Sequence, residues 1–186
     1  MSINRSFFFD QVRARLFGGK LSQPQVSGLL AILDYWEEEL WNADDRWLAY
    51  ALATAYHETD RKMQAIEEYG KGKGRTYGKP DPVTGQTYYG RGLVQLTWKY
   101  NYKAMQDIFG EPLVASPNRA LNLPLAVKIM FHGMEHGTFT GKKFADYFNE
   151  KREDWVNARR IINGTDKARA IADYAKKFYS AISYTK

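Results

Sequence analysis

Apolar residues recur every three or four positions through most of this chain, which predicts a mainly helical protein. The first three predicted helices each begin after a side chain that can accept a hydrogen bond from a free backbone N–H at the helix start. These capping residues are Asn4 or Ser6 for the first helix, Ser22 for the second, and Asp44 or Asp45 for the third. The third helix, residues 46 to about 59, is rich in alanine and large apolar residues, and we expect it to lie in the middle of the domain.

Five further helical patterns follow: residues 98–110, 123–137, 141–149 and 154–162, and a last helix capped by Thr165 or Asp166. Residues 69–86 are polar and rich in glycine, so we expect them to form a loop. Residues 87–89 and 93–96 have a strand-like pattern around Gly90-Arg91-Gly92, which predicts one small β-hairpin. The predicted fold class is mainly α, with this hairpin as the β element.

The composition is that of a globular protein, since 44% of the 186 residues are hydrophobic and 26% are charged. No linker or repeat interrupts the chain, which predicts a single domain, residues 1–186. There is no cysteine, which excludes disulfides and thiol chemistry. No apolar run reaches the roughly 18–20 residues that a membrane span needs. Asp10 interrupts the early apolar run, so we expect no signal peptide.

Lysine and arginine exceed aspartate and glutamate by 27 − 21 = +6. A basic balance favours polyanionic partners such as nucleic acid, an anionic membrane or the bacterial envelope, and it can also serve solubility alone. No nucleic-acid-binding motif is present, so we expect no nucleic-acid partner. The last predicted helix carries basic residues around an apolar face, which could contact either an anionic envelope surface or the protein core.

Two carboxylates near the third helix are candidates for acid–base chemistry. Glu58 ends this largely apolar helix, where burial would disfavour its charged form and suit it to act as a general acid. The alternative is a solvated glutamate at a helix end. Glycosidic cleavage needs a second carboxylate, and Glu67 or Glu68 can supply it, with Asp60 or Asp81 as competitors. The Glu67-Glu68 pair could also be a solvated turn.

Polar and aromatic side chains cluster after the predicted loop. Gln95 and Thr97 would point to the same face of a strand, with Asn101 nearby, and these groups could position a water or bind acetamido groups. Five aromatic residues could offer ring faces to sugars or belong to the core: Tyr88, Tyr89, Trp98, Tyr100 and Tyr102.

Two other motifs have alternative explanations. Residues 70–75 alternate glycine with lysine or arginine, which would suit a basic lip over an anionic polymer or a solvated loop. His132-Gly133-Met134-Glu135-His136 matches the His-x-x-Glu-His pattern of inverted zinc peptidases. Two histidines four residues apart on a helix could bind zinc. No third ligand is evident in the sequence, so a zinc-dependent wall peptidase is an alternative and not the main hypothesis.

Several of these segments together resemble glycoside hydrolase family 19, which contains chitinases and bacteriophage endolysins of lysozyme-like fold. They are His57-Glu58-Thr59, the later acidic position, Tyr88-Tyr89-Gly90-Arg91-Gly92-Leu93-Val94-Gln95-Leu96-Thr97, Tyr100-Asn101-Tyr102 and Ile162-Asn163-Gly164. The resemblance covers about residues 48–178, most of the chain.

This resemblance implies a bilobal helical domain with a sugar groove and an inverting mechanism without metal or cofactor. Glu58 matches the general acid, and Thr97 matches the residue that helps to hold the attacking water. Glu67 is the preferred match for the second catalytic glutamate, with Glu68 as the fallback. Inversion requires carboxyl groups roughly 6.5–9.5 Å apart. The expected substrate-binding residues are His57, Tyr89, Gln95, Tyr100, Asn101 and Asn163.

The chain departs from the family pattern, because Asp60-Arg61 replace a common Gly-Gly and the disulfides of plant chitinases are absent. We therefore expect a monomeric phage-type endolysin that cleaves β-1,4 bonds in peptidoglycan glycan strands. It would accumulate in the host bacterial cytoplasm and reach the wall through a holin-type pore. The alternatives are a chitinase of the same family, the zinc peptidase, and a non-catalytic wall-binding module.

Overall fold

Six α-helices form the framework of the structure, a computed structural model that describes residues 2–185. They are α1 (Arg5–Arg15), α2 (Gln23–Glu39), α3 (Asp45–Glu58), α4 (Lys99–Phe109), α5 (Leu123–His136) and α6 (Ala168–Tyr179). Two small two-stranded antiparallel sheets accompany them, formed by β1 (Ile66–Glu67) with β2 (Arg91–Gly92) and by β3 (Phe148–Asn149) with β4 (Arg152–Glu153). The predicted fold class, mainly α, is confirmed.

Helix starts follow the sequence closely in the first third of the chain. Asn4 caps α1 by accepting a hydrogen bond from Phe7 N. Ser22 and Gln25 form a reciprocal capping box at the start of α2. Asp44 caps α3. These predictions are confirmed because each cap is a contact between residues two or three positions apart.

Helix α3 lies at the centre of the protein, as its composition predicts. Its residues 48–56 are all buried, a continuous run and not a stripe, so this helix has protein on every side. It packs mainly against α6, where the Tyr56 ring lies 4.9 Å from the ring of Tyr174 and 5.9 Å from that of Phe178. This central packing fixes the direction in which the C-terminal residue of α3, Glu58, leaves the core.

The predicted hairpin of residues 87–89 and 93–96 is wrong. The strand is β2, and its partner is β1, with Ile66 opposite Gly92 and Glu67 opposite Arg91. The chain turns back sharply between Gly92, the last residue of β2, and Gln95, and both residues have positive φ. Arg91 and Leu96 therefore exchange backbone hydrogen bonds of 3.2 and 2.8 Å. A turn this tight leaves no room for a second strand, and β2 pairs with a distant segment instead.

The later short helices were also predicted incorrectly. Residues 141–149 form only one turn of 3₁₀-helix, Phe144–Asp146, before β3, and residues 154–162 contain the 3₁₀-helix Asn157–Ile161. Burial of Phe144 and Phe148 in the core decides this local conformation. Neither Thr165 nor Asp166 caps α6, because the chain enters this helix through Lys167 in a left-handed conformation.

The apolar face of α6 is packed inside the protein. Ile171, Ala175 and Phe178 are fully buried, so this face is not available to a membrane. This agrees with the core-facing alternative, and a contact of its basic outer side with an anionic envelope stays a prediction. In the described residues 2–185, no helix is both long and apolar enough to cross a membrane.

Candidate active site

An open groove of about 460 Å³ runs beside the C-terminal end of α3 and the turn that follows β2. It brings together carboxylates, amides and aromatic rings that are far apart in the sequence. The predicted site residues that line it are Glu58, Glu68, Gln95, Thr97, Tyr100, Asn101 and Asn163. Three predicted site residues, Glu67, His57 and Tyr89, are not among its lining residues.

Glu58 reaches the groove from the last position of α3 and forms an ion pair with Arg159. The distance from Arg159 Nη1 to Glu58 Oε1 is 2.7 Å, and the exposed fractions of the two side chains are 4% and 15%. A negative charge at a helix C-terminus is locally unfavourable, and the guanidinium compensates it. From the sequence we expect only burial to influence whether Glu58 is charged, whereas the structure also places a buried cation beside it.

Arg159 is the partner of Glu58 that sequence reasoning missed. It lies in the 3₁₀-helix Asn157–Ile161, and its Nε also donates to the carbonyl of Asp166 at 3.2 Å. The signal in the sequence is an Arg-Arg pair just before the Ile-Asn-Gly segment. Only the first arginine of that pair is buried, while Arg160 is exposed, and the sequence does not distinguish the two.

Of the two adjacent glutamates, Glu68 and not Glu67 lies in the groove with Glu58. Glu68 accepts hydrogen bonds from Gly90 N and the Tyr77 hydroxyl, both at 3.2 Å. Neighbouring residues in an extended chain point to opposite sides, so Glu67 is directed elsewhere. The fallback, Glu68, thus lies in the groove and the preferred choice, Glu67, lies outside it, and the identity of the second catalytic carboxylate stays a prediction.

Glu67 has its own partners outside the groove. The Tyr89 hydroxyl donates to Glu67 Oε1 at 2.6 Å, and Lys71 Nζ lies 3.1 Å from Glu67 Oε2. The Tyr89 hydrogen bond and the Lys71 contact lower the pKa of Glu67. Tyr89 is 7% exposed, and the Arg91 guanidinium lies 3.7 Å from the centre of its ring. Tyr89 thus contacts Glu67 and Arg91 outside the groove, and its role in substrate binding stays a prediction.

His57 also lies outside the groove. Consecutive helical residues point about 100° apart, so the orientation of Glu58 towards the groove turns His57 away from it. His57 lines a separate depression of about 160 Å³ with Tyr56, Arg61 and Tyr174 among its neighbours. Burial lowers the pKa of His57, and Glu58 opposes this effect. His57 thus lies outside the groove, and its predicted contact with substrate stays a prediction.

The polar residues of the turn hold one another in place. Thr97 Oγ1 donates to Gln95 O at 2.7 Å, Asn101 Nδ2 donates to Thr97 O at 2.9 Å, and Gln95 Nε2 donates to Ile66 O at 3.2 Å. The side-chain oxygens of Gln95 and Asn101 accept no hydrogen bond from residues 2–185. These oxygens can therefore accept hydrogen bonds from the N–H and O–H groups of a sugar.

Trp98 and Tyr100 form an exposed aromatic platform at the groove. Their rings stack with centroids 6.3 Å apart and planes 15° apart, and the two residues are 39% and 64% exposed. Such large exposed aromatic surfaces are uncommon unless they bind something. Tyr88 and Tyr102, by contrast, are buried at 3% and 0% exposure and belong to the core.

His132 and His136 stack on α5 with ring centroids 4.2 Å apart. Zinc sites in proteins use at least three protein ligands. Within the part of the chain that the structure describes, no group of three or more histidine, aspartate or glutamate side chains is placed to hold a metal ion. The zinc-peptidase alternative therefore lacks a third ligand.

Known proteins were compared with this chain in sequence and in structure. No family model matches the sequence. An endochitinase of Arabidopsis thaliana is 38% identical over 80 residues, which are 42% of this chain and 28% of the relative. A second Arabidopsis endochitinase is 45% identical over 40 residues, 22% of this chain and 14% of the relative. The chain therefore matches less than a third of the length of these curated relatives.

Solved structures match over almost the whole chain. Chitinase C from Streptomyces griseus superposes with a TM-score of 0.62 and 21% identity, covering 95% of this chain and 74% of that one. A bacterial family 19 chitinase gives 0.58 and 22%, covering 95% and 92%, and the class IV family 19 chitinase of Zea mays gives 0.58 and 18%, covering 94% and 90%. The resemblance predicted from the sequence is confirmed in the fold and in one matching sequence segment.

Proposed function

We propose that this chain, whose fold is that of the family 19 chitinases, is a glycoside hydrolase that cleaves β-1,4 bonds between amino sugars of bacterial peptidoglycan. The observation that carries the proposal is the presence of two carboxylates, Glu58 and Glu68, in one groove with amide oxygens and an aromatic platform. Two carboxylates flanking a bound sugar chain are what glycosidic hydrolysis requires.

In the proposed reaction, Glu58 is the general acid and Glu68 the general base. Glu58 gives its proton to the glycosidic oxygen as the bond from this oxygen to the anomeric carbon breaks. Glu68 takes a proton from a water that attacks the anomeric carbon from the opposite face, with Thr97 helping to hold that water. The water oxygen becomes the new anomeric hydroxyl, so the configuration inverts. Arg159 orients Glu58 through the 2.7 Å ion pair.

The net charge of +6 favours an anionic polymer over a neutral one. Peptidoglycan carries peptide carboxylates, whereas chitin carries none. Chitin is nevertheless a second candidate substrate, because the relatives in sequence and structure are named as chitinases. An endolysin role in phage lysis is a further part of this proposal.

The test compares wild type with Glu58→Gln, Glu68→Gln and Glu67→Gln on purified peptidoglycan and on a chitin hexamer. Glu67→Gln is the matched control, because it makes the same chemical change one residue away and outside the groove. We expect the Glu58 and Glu68 variants to lose at least about 10²-fold in kcat, and the Glu67 variant to stay within about tenfold of wild type. Borohydride reduction of the products identifies the new sugar end.

Each alternative function predicts a different result. Clearing that survives Glu58→Gln but stops in EDTA would move the chemistry to His132 and His136 and refute the glycosidase. Sedimentation with cell walls and no cleavage would indicate a binding module. Cleavage of the chitin hexamer alone would make the protein a chitinase. Retention of Glu68→Gln activity together with loss in Glu67→Gln would restore the choice made from the sequence.

A further inference from the structure

A compact loop, residues 69–79, forms one side of the groove. Glu68, which directly precedes the loop, and Tyr77, near its end, both line the groove and are joined by a 3.2 Å hydrogen bond. Within the loop, the backbones of Gly72 and Gly78 touch, and a Cβ added at Gly78 would lie only 2.0 Å from Gly72 O. A series of turn hydrogen bonds continues through the loop. The backbone of the loop is therefore held compactly next to the candidate catalytic carboxylate.

Two of the lysines in and near the loop are already paired with carboxylates. Lys71 Nζ lies 3.1 Å from Glu67, and Lys99 Nζ lies 2.9 Å from Asp81. The Lys99 contact, with the backbone N–H groups around Thr84, lowers the pKa of Asp81 to about 2. Because these two cations already form ion pairs within the protein, they attract an anionic ligand less than unpaired cations do.

Three other cations of the loop have no such partner. Lys73, Arg75 and Lys79 are exposed, and no carboxylate in residues 2–185 forms an ion pair with any of them. We call these three residues the basic rim. Burial and the nearby Glu68 raise the pKa of the Tyr77 hydroxyl, and the Arg75 guanidinium opposes them, so Arg75 acts electrostatically on the Tyr77–Glu68 pair at the groove.

A second depression of about 330 Å³ adjoins the groove at the same loop. Tyr77 and Trp98 line both the groove and this depression, so a single wall separates them. Lys79 lines the depression together with Pro80 and Pro82. A substituent that extends from the groove past Tyr77 and Trp98 would enter this depression, which Lys79 lines. Lys73 and Arg75 belong to the same loop and line neither space.

We propose that the basic rim binds the carboxylates of peptide substituents on the glycan and so selects peptidoglycan over chitin. This inference rests on the proposed function. Every second sugar of peptidoglycan carries a lactyl group with a short peptide that contains free carboxylates, whereas chitin has only neutral acetamido groups. In this proposal, the groove residues contact only the glycan. The cations of the basic rim would therefore strengthen binding only when the glycan carries anionic substituents.

The size of the effect follows from the exposure of these cations. A solvent-exposed ion pair contributes about 0.2–1 kcal/mol, which corresponds to at most about fivefold for each contact. Three contacts together should change the preference for peptidoglycan by about 3- to 150-fold, so we expect a change of about tenfold at low ionic strength. Since the rim is exposed, this preference should fade in 0.5 M salt, where the Debye length is only a few ångströms.

The test uses a triple variant, Lys73→Gln, Arg75→Gln and Lys79→Gln, and a matched control triple, Lys20→Gln, Lys128→Gln and Lys151→Gln. The three control lysines are also exposed, lie outside the loop of residues 69–79, and line neither the groove nor the adjoining depression. Both variants lose three positive charges, so they affect general attraction to a polyanion equally. The readout is the ratio of kcat/KM on peptidoglycan to kcat/KM on a chitin hexamer.

We expect the rim variant to lower this ratio about tenfold and the control variant to leave it within about twofold. Equal ratios in the rim variant and wild type would overturn the inference, and so would an equal fall in both variants. In parallel, both triples are made in the Glu58→Gln background, and their affinity for insoluble peptidoglycan is measured by sedimentation. Weaker binding of the rim variant alone supports the inference without turnover, and equal binding refutes it.

The two proposals fail in different ways. If wild type cleaves neither polymer, the proposed function fails, and the sedimentation measurement still decides the role of the rim. If wild type cleaves both polymers and the ratio does not respond to the rim, the glycosidase stands and the rim inference fails. Glycan stripped of its peptides, which retains only the lactyl carboxylates, should show a smaller response to the rim variant than intact peptidoglycan.

Discussion

Glu58 and Arg159 form an ion pair, so substitutions of these two residues should have strongly non-additive effects on the free energy of unfolding. We would replace Arg159 with Met and Glu58 with Gln, singly and together. Arg159→Met leaves a carboxylate that is 15% exposed, and Glu58→Gln leaves a guanidinium that is 4% exposed. Removing one partner of a buried ion pair typically costs about 3–5 kcal/mol, because the other charge remains desolvated and unpaired.

The two substitutions should lower the free energy of unfolding by different amounts, because the charge that remains in each variant differs in its access to water. Because Glu58 keeps some solvent contact, we expect Arg159→Met to cost about 2–3 kcal/mol, below the usual range. Glu58→Gln should cost about 3–4 kcal/mol, because the buried guanidinium loses its anionic partner and keeps only neutral acceptors such as the Asp166 carbonyl. A chain of this size loses about 2–4 °C in Tm for each kcal/mol.

Urea unfolding of wild type, both single variants and the double variant gives the coupling free energy. We expect the double variant to be more stable than the sum of the single effects predicts, by about 2 kcal/mol. Lys177 and Asp173 form the control pair, exposed at 40% and 61%, with an expected coupling of about 0.3–0.5 kcal/mol. Additive effects at Glu58 and Arg159, within about 0.5 kcal/mol, would refute a desolvated pair.

The same variants test whether Arg159 positions Glu58 for catalysis. Misplacement of a reacting group can cost about 10²-fold in rate, so we expect Arg159→Met to lower kcat more than it raises KM. Arg159→Lys keeps the positive charge and should recover part of kcat. A purely structural role would leave kcat and its pH profile unchanged in the fraction of protein that remains folded.

Other predictions concern separate parts of the molecule. Glu67→Gln should destabilise the protein near neutral pH, because the pKa of Glu67 is lowered in the folded state. This stabilisation is lost when Glu67 is protonated, so the difference from wild type should disappear as the pH falls below about 4. Urea unfolding across pH checks this. Gly133→Ala should lower the free energy of unfolding by about 1–3 kcal/mol, because a Cβ would lie 2.0 Å from a ring carbon of Phe139. Gly164→Ala creates no such contact and should be nearly neutral in the same measurement. Tyr100→Ala should raise KM about two- to tenfold without lowering Tm, because its ring is 64% exposed beside the groove, and an unchanged KM would exclude the ring from substrate binding.

Sequence alone determined the features that depend on neighbouring residues. The caps Asn4, Ser22 and Asp44 are short-range hydrogen bonds, and helical periodicity places α3 in the core with Glu58 at its end. The residue block around the turn after β2 carried the family resemblance, which the solved structures confirm in the fold. These features need no knowledge of which distant segments meet.

Only the tertiary structure decided the partners of the site. The pairing of β1 with β2 sets which side of the strand each glutamate takes, so Glu68 enters the groove and Glu67 meets Tyr89. Arg159 reaches Glu58 across a separation of 101 residues. Such contacts depend on the register of strands and the rotation of helices in the packed core. A shift of one residue moves a side chain to the other face, and local sequence preference does not determine it.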